Sequence, residues 1–417
     1  MLAPERRSRT DLVVAAVIAV TVVVAASVAW LTGDARGTTS VTADNPLAPS
    51  EAAASVPAAL SELWRAPSSA TDSAHTPVPV VTGSAVVTAD GGSVVGHDPR
   101  SGDPAWSYSR DLPLCSVIAS WNTAVSVYRD DRGCSQVTTL DGSTGVRTAQ
   151  RTSDAADSVY LSSDGTYVTS RGDTRMELWR SDMVRTLEYG RVDAPVNPGT
   201  QPRTGCTLLS TTSSNSRTAV LEQCPGEPAA RLSLLNPAPK DASEPEEYGS
   251  SVVPDLVTSG QEPTSGRVLA LTGSLVALYV PSAKGVPARI ALYDDTATAV
   301  SEFALPAGLG PASAPPASPA AKQGSVFTWF TGSGVQALNS TDLTPAWSMP
   351  GALGSGAVMA GRLLVPVPDA IAVVELATGT VIAEIPIDRG DYDGPVQTSV
   401  IGDVVVEQRG SDLVALG

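Results

Sequence analysis

The chain has 417 residues, of which 42% are hydrophobic, and a formal net charge of −16. This length allows a large buried core, and the acidity makes nucleic acid and anionic surfaces poor partners for most of the chain. The sequence has two histidines, His75 and His97, with no Ser-His-Asp or His-x-x-x-His spacing. It therefore gives no support for nucleophilic catalysis or a zinc site, and we expect neither a catalytic residue nor a metal or other cofactor.

Near the N-terminus, residues 12–31 (LVVAAVIAVTVVVAASVAWL) contain no charge and are long enough to cross a bilayer as a helix. Arg6, Arg7 and Arg9 precede them, so the positive-inside rule places residues 1–11 in the cytoplasm and the rest of the chain outside. The alternative is a cleaved signal peptide, since AASVA offers small residues near the end. We expect a single-pass cell-membrane protein, although cleavage of the helix remains open.

After this helix, residues 32–59 lack hydrophobic periodicity and are rich in Ser, Thr, Ala, Pro and Gly. Such composition is typical of a flexible linker. Residues 60–417 instead contain short Val-, Leu- and Thr-rich runs separated by Gly, Asp, Asn and Pro, the pattern of many short strands. The sequence thus predicts a tether followed by one all-β ectodomain.

The runs of this ectodomain repeat. In AVVTADGGSVVGHDPRSGDPAWSYS (85–109) and SVFTWFTGSGVQALNSTDLTPAWSM (325–349), Asp or Asn stands eight residues before Trp. Weaker copies keep the order of strand, turn and strand, and the turns recur about every 46 residues. A period in the forties with four short strands per unit predicts a β-propeller, here with eight blades and seven as the alternative. The anchoring turn positions are Asp98, Asp141, Trp179, Asn236, Tyr293, Asn339, Glu375 and Gly417.

The recurring pattern Ala/Val-Leu-Asp-x-x-Ser/Thr-Gly-x-x-x-Trp resembles the blade motif of the pyrroloquinoline-quinone (PQQ)-like β-propeller repeat family. Asp98–Trp106 and Asn339–Trp347 keep both ends of the motif. Quinoprotein enzymes of this family hold PQQ against a Trp and a vicinal disulfide, with a calcium ion beside it. This chain has no adjacent cysteines, so the resemblance implies the fold and not the cofactor.

An anchored propeller without an acid/base or metal constellation favours a non-catalytic, membrane-tethered scaffold that binds a protein partner in the bacterial cell envelope. Related propellers of the family include envelope assembly scaffolds. The alternatives are a ligand- or glycan-binding sensor, with Trp121, Trp179 or Trp329 lining one mouth of the ring, and a degenerate quinoprotein enzyme. The acidic loop DRGDYDG (388–394) is expected to be a solvated connection, because its spacing misses the EF-hand pattern.

Four cysteines suit an extracytoplasmic domain. Cys115 and Cys134 are 19 residues apart, and Cys206 and Cys224 are 18 apart. The even number and the similar separations predict two local disulfides, each within one blade.

The final repeat, DVVVEQRGSDLVALG (403–417), lacks an outermost Trp-bearing strand. An unmatched strand with Trp64, LSELWRAPS (60–68), stands before the first complete repeat. We expect it to pair beside Leu413–Leu416 and close the ring, so that removing residues 60–68 destabilises the last blade far more than removing residues 33–57.

Overall fold

The computed structural model describes residues 8–33, 36–71, 78–193, 195, 197–257, 266–283, 285–309 and 320–417. In this part of the chain, the helix α1 (Arg9–Thr32) begins after Ser8, whose hydroxyl accepts the Asp11 N–H while the Asp11 carboxylate accepts the Ser8 N–H. This reciprocal cap satisfies two otherwise unpaired donors. Within Arg9–Leu31, the most apolar stretch of 18 residues has a mean hydropathy of 2.8, and none of that stretch is buried. The helix could therefore span a membrane.

The rest of the described chain forms eight four-stranded antiparallel sheets arranged as the blades of a ring. Two strands precede the repeats: β1 (Thr38–Val41) and β2 (Glu62–Pro67). Blade 1 contains β3 (Val86–Asp90), β4 (Ser93–His97) and β5 (Pro104–Arg110). Blade 2 contains β6 (Leu114–Ser120), β7 (Thr123–Asp130), β8 (Gly133–Asp141) and β9 (Arg147–Thr152). Blade 3 contains β10 (Tyr160–Ser163), β11 (Val168–Arg171), β12 (Arg175–Trp179) and β13 (Arg185–Gly190). Blade 4 contains β14 (Thr207–Ser213), β15 (Thr218–Gln223), β16 (Ala229–Leu235) and β17 (Glu247–Val257).

The second half of the ring continues in the same order. Blade 5 contains β18 (Arg267–Leu271), β19 (Leu275–Val280), β20 (Arg289–Asp294) and β21 (Ala299–Ala304). Blade 6 contains β22 (Ala321–Gln323), β23 (Val326–Phe330), β24 (Gly334–Asn339) and β25 (Pro345–Pro350). Blade 7 contains β26 (Ala357–Met359), β27 (Arg362–Val367), β28 (Ala370–Val374) and β29 (Val381–Pro386). Blade 8 contains β30 (Val396–Ile401), β31 (Val404–Arg409) and β32 (Asp412–Leu416). The eight-bladed propeller expected from the repeats is confirmed, and the seven-bladed alternative is excluded.

The blades pack face to face, and the two middle strands of each blade supply most of the core. Middle strands such as β28 and β12 are buried at every position, because both of their faces meet a neighbouring blade. The outer strands β9 and β21 alternate between exposed and half-buried residues. This burial gradient explains why the middle strands read as continuous apolar runs in the sequence.

Alternating strand directions give the ring two different faces. We call turn face the side with the turns between the first and second and between the third and fourth strands of each blade. The connection face carries the remaining turns and the links between blades. In blade 2 the Gly142 N–H donates to the Asn122 carbonyl at 2.9 Å on the turn face, and the Cys134 N–H donates to the Ala156 carbonyl at 2.9 Å on the connection face.

The segment before the repeats is more structured than the sequence suggested. Within residues 32–59, expected to be a flexible linker, β1 pairs antiparallel with β5, with Thr38 opposite Arg110 and Val41 opposite Ser107. The innermost position of blade 1 is reduced to an isolated bridge between Val81 and Val86, so β1 adds outside the Trp-bearing strand β5. Four residues with mostly exposed side chains carry too little periodicity to be recognised as a strand from sequence.

The ring closes through the other early strand. β2 pairs antiparallel with β32, with Trp64 opposite Ala415, Ala66 opposite Leu413 and Glu62 opposite Leu416. Blade 8 is therefore built from both ends of the propeller sequence, with the N-terminal strand outermost.

Candidate functional site

The innermost strands surround a cavity of about 720 Å³ along the axis of the ring. Its lining is dominated by small and hydroxyl-bearing side chains from seven of the blades; examples are Val81, Ser162, Ser213, Leu271, Ala321, Val358 and Ser399. Among the described lining residues, Lys322 and Asp164 carry charge. The Asp164 carboxylate accepts the N–H groups of Thr166 and Tyr167 at 2.7 Å, so it is engaged in its own turn.

The two ends of this channel differ in polarity. Asp164, Thr166, Ser214 and Asn215 lie in the turns after the first strands of blades 3 and 4, which places them at the turn face. Ala320 precedes the first strand of blade 6 and belongs to the connection face. The channel can therefore offer hydrogen bonds to a polar molecule at its turn-face mouth. The Ser and Thr residues at this mouth follow no distinctive spacing in the sequence, so sequence analysis could not identify them as a site.

The tryptophans proposed for a glycan-binding mouth lie elsewhere. Trp179 and Trp329 are buried inside blades, with exposures of 2% and 1%, and Trp121 is half-buried against the blade 2–3 core. Phe327 is the aromatic residue among the described channel-lining residues. The three tryptophans that would have indicated the glycan-sensor alternative are thus absent from the described wall of the channel.

Three tryptophans instead form joints between adjacent blades. Nε1 of Trp64, Trp106 and Trp347 donates to a main-chain carbonyl in the third turn of the next blade, at 3.0, 3.0 and 2.8 Å. Each indole lies over the glycine of that turn, and a Cβ built on the glycine would lie 2.5, 2.7 or 2.6 Å from ring atoms. The glycines are Gly102, Gly145 and Gly379. The repeat motif therefore encodes a contact between blades: the turn of one receives the Trp of the previous one.

At the closing joint, Trp64 also packs against His97, with 5.1 Å between ring centroids. The His97 Nδ1 donates to the Gly102 carbonyl at 2.9 Å, and Nε2 contacts the Thr88 hydroxyl at 2.8 Å. Burial lowers the pKa of His97 below its ordinary 6.5, although the Gly102 carbonyl opposes this shift. The side chain is therefore a neutral structural group. His75 lies outside the described residues.

Both cysteine pairs are disulfide-bonded within single blades. Cys115 bonds to Cys134 in blade 2, and Cys206 bonds to Cys224 in blade 4. Cys206, Glu222 and Cys224 form the one group within the described residues whose ligand atoms are close enough for a metal ion. The two sulfurs are bonded to each other, however, and Glu222 Oε1 accepts from Tyr189, Arg203 and Ser233, while Glu222 Oε2 is buried without a hydrogen-bond partner among the described residues. Because metal ions bind thiolates and not the sulfurs of a disulfide, we assign no metal site to this group.

Buried ion pairs are a feature that sequence reasoning missed. Between blades 2 and 3, Glu177 pairs with Arg151 at 3.1 Å and with Arg175 at 2.8 Å, and it accepts the Trp179 N–H at 2.8 Å. Burial raises the pKa of this carboxyl, but the two guanidinium charges and the indole hydrogen bond outweigh it and the net pKa is lowered. The partners are distant in sequence or hidden inside strand patterns, so no local signal identifies them.

The acidic loop DRGDYDG contains another buried pair. Arg389 donates to both carboxylate oxygens of Glu407 at 3.0 and 2.7 Å, and to the carbonyls of Val367 and Ala370. The arginine joins blades 7 and 8, while Asp391 is exposed. The loop thus contributes an arginine to the core, and its acidic residues remain at the surface.

Comparison with known proteins finds no matching family model and no matching curated sequence. Solved structures do match. BamB from Moraxella catarrhalis superposes with a TM-score of 0.51 at 13% identity, covering 86% of this chain and 99% of that one. Sqt1 from Saccharomyces cerevisiae gives 0.52 at 8% identity, covering 88% and 99%. The chain has the β-propeller fold. At these identities the likeness extends to the fold alone.

Proposed function

We propose that this protein is a non-catalytic interaction propeller held on the outer side of the bacterial cytoplasmic membrane by α1. The observation that carries this proposal is an exposed helix, without charge over residues 12–31, attached to a closed propeller. The arginines before the helix favour a cytoplasmic N-terminus, and two disulfides favour an oxidising compartment for the ring. The resemblance to the PQQ-like repeat family supports a scaffold that binds an envelope protein.

The first test separates the anchor from a cleaved signal peptide. The full chain, tagged at its C-terminus, is expected to remain in the membrane fraction after high-salt washing and to keep its full length. A matched variant in which a cleavable signal peptide replaces residues 1–31 should be released as a soluble protein. A shortened, soluble product from the unmodified chain would refute the anchor.

The second test concerns the partner. Photo-crosslinking amino acids placed at exposed positions such as Val146 and Thr341 are expected to capture one reproducible envelope protein in cells. The soluble variant described above is the control for contacts that need membrane attachment. Failure to recover any reproducible adduct from positions around the whole ring would count against a scaffold.

A ligand sensor is the second candidate, because the channel is hydroxyl-lined and contains Lys322. A small anion bound in the channel should raise the melting temperature of the wild type and of the surface variant Lys240→Ala, but not of Lys322→Ala.

For the quinoprotein alternative, we expect no stoichiometric change in absorbance when PQQ and calcium are added. Tight stoichiometric binding would overturn the non-catalytic assignment.

A further inference from the structure

Very little chain separates α1 from the ring. α1 ends at Thr32, and the carbonyl of Gly37 already accepts the Asp111 N–H at 2.7 Å. Because an extended chain advances about 3.3–3.6 Å per residue, these five steps span at most about 18 Å. The attachment is therefore short compared with the ring itself.

The attachment point lies at one face. Thr38 is opposite Arg110, the last residue of β5, and Val41 is opposite Ser107. Arg110 leads directly into the link to blade 2, so the chain joins the rim at the connection face and β1 runs towards the turn face. At roughly 3.3 Å per residue, the seven residues of β5 make the rim about 23 Å high. An 18 Å link cannot bring the turn face to the bilayer while Gly37 remains at the opposite edge.

The chain that follows β1 is fixed to the ring as well. Ala43, Leu47 and Ser50 donate backbone hydrogen bonds to the carbonyls of Thr144, Ser143 and Gly83 at 3.0, 3.0 and 2.9 Å. We call residues 42–61 the strap, because they cross the turn face from β1 to β2. Its apolar side chains pack on the cores beneath it, as Leu47 does on the blade 1–2 core and Val56 on the blade 7–8 core. The attachment point therefore does not slide along the rim.

We propose that the connection face is turned towards the membrane and that the turn face, with the strap and the polar mouth of the channel, is presented away from it. This inference rests on the proposed membrane anchor. It assigns the turn face as the surface that an envelope protein partner meets first, and it makes the connection face the membrane-proximal surface.

Site-specific labelling tests the orientation, since all four native cysteines are in disulfides. Asp131→Cys and Val146→Cys place single exposed thiols on blade 2, the first at the connection face and the second at the turn face. The labelled full chain is reconstituted into liposomes that contain an acceptor dye on the lipid headgroups. We expect energy transfer from the Asp131→Cys label to exceed that from the Val146→Cys label about twofold or more, because strand height separates the labels by about 23 Å.

A second pair on blade 7, Pro368→Cys and Ala377→Cys, repeats the comparison if either blade 2 variant folds poorly; both positions are exposed. Equal or reversed transfer in protein that floats with the liposomes would overturn the orientation and leave the anchor intact. Protein that does not float would overturn the anchor and this inference with it. Greater transfer from the connection-face labels supports both.

Discussion

The blade joints depend on glycine for two separate reasons. Gly102, Gly145 and Gly379 have φ values of 75°, 70° and 71°, a backbone region that is costly for residues with a Cβ. Each also lies beneath an indole that leaves no room for a side chain. The positive φ completes the turn, and the absence of a side chain lets the Trp of the preceding blade approach the backbone. A glycine elsewhere in the ring can have a positive φ without lying beneath an indole.

The variant Gly145→Ala should separate these contributions. We expect it to lower the free energy of unfolding by about 3 kcal/mol, since the left-handed backbone costs about 1–2 kcal/mol and the displaced Trp106 adds a similar amount. Gly165→Ala is the matched control, because Gly165 has φ 86° but nothing within 4 Å of a Cβ. It should cost only about 1 kcal/mol. If urea denaturation gave the same loss of unfolding free energy for both variants, the contact with Trp106 would add nothing to the cost of Gly145→Ala.

His97 makes the closing joint sensitive to acid. Its folded pKa lies below 6.5 because the ring is buried, so the folded protein binds the proton less readily than the unfolded chain. The stability contributed by neutral His97 is therefore complete above about pH 6.5 and is lost as pH falls towards the lower folded pKa. We expect the free energy of unfolding to fall between pH 7.5 and 5.5 in the wild type, and to fall less in His97→Gln.

The other histidine provides the control for this measurement. His75→Gln should keep the pH dependence of the wild type in urea denaturation at pH 5.5, 6.5 and 7.5. Identical pH profiles for the wild type and His97→Gln would contradict the assignment of the acid sensitivity to the closing joint.

At the scale of elements, the sequence predicts the ring because its signals are local. The turn at Asp141 is encoded by the carboxylate that accepts the N–H groups of Ser143 and Thr144 and by Gly145. Each expected anchor position falls in or beside the third strand of a different blade. The strand β1 was missed because its pairing with β5 depends on a partner about 70 residues away, and a four-residue polar strand has no periodicity of its own.

The channel and the buried charges were unpredictable for a related reason. Ser213 and Ser399 line the cavity because of where the first strands of blades 4 and 8 stand in the ring, and nothing in their neighbourhood differs from other strands. Arg389 reads as a surface residue in DRGDYDG, yet the ring places it against Glu407. Whether a charge is buried depends on contacts between blades, and the repeat pattern does not record these.

The loop between blades 7 and 8 offers a test of this distinction. Arg389→Ala should destabilise the protein by about 3 kcal/mol or more, because it leaves the buried Glu407 with only one of its two arginine partners. Asp391→Ala, in the same loop but exposed, should change the free energy of unfolding by less than about 0.5 kcal/mol. A calcium-dependent rise in melting temperature that Asp391→Ala abolishes would contradict this account and indicate a cation site.

For the whole molecule, closure converts a row of similar blades into a ring without free ends. In an open stack the terminal repeats have one neighbour and unfold most easily. Here β2 completes blade 8 by pairing with β32, and Trp64 of the same strand packs on Gly102 of blade 1. A single N-terminal strand therefore links the blades that would otherwise be the two ends. β1, in contrast, covers an edge of blade 1 that already has its Trp-bearing strand.

Nested truncations followed by hydrogen exchange should resolve these roles. In the chain that begins at residue 33, we expect amides of β31 and β3 to exchange as slowly as those of β15 on the far side of the ring. Starting at residue 58 removes β1 together with residues 42–57 of the strap, and should affect mainly β5 and the turns that the strap contacts. Starting at residue 69 also removes β2, and amides of both blade 8 and blade 1 should then exchange faster together while β15 keeps its protection, because local opening follows the contacts that are lost. If blade 8 kept its protection in that shortest chain, the ring would be held closed by contacts other than β2, and Trp64 would have to be regarded as an ordinary surface contact.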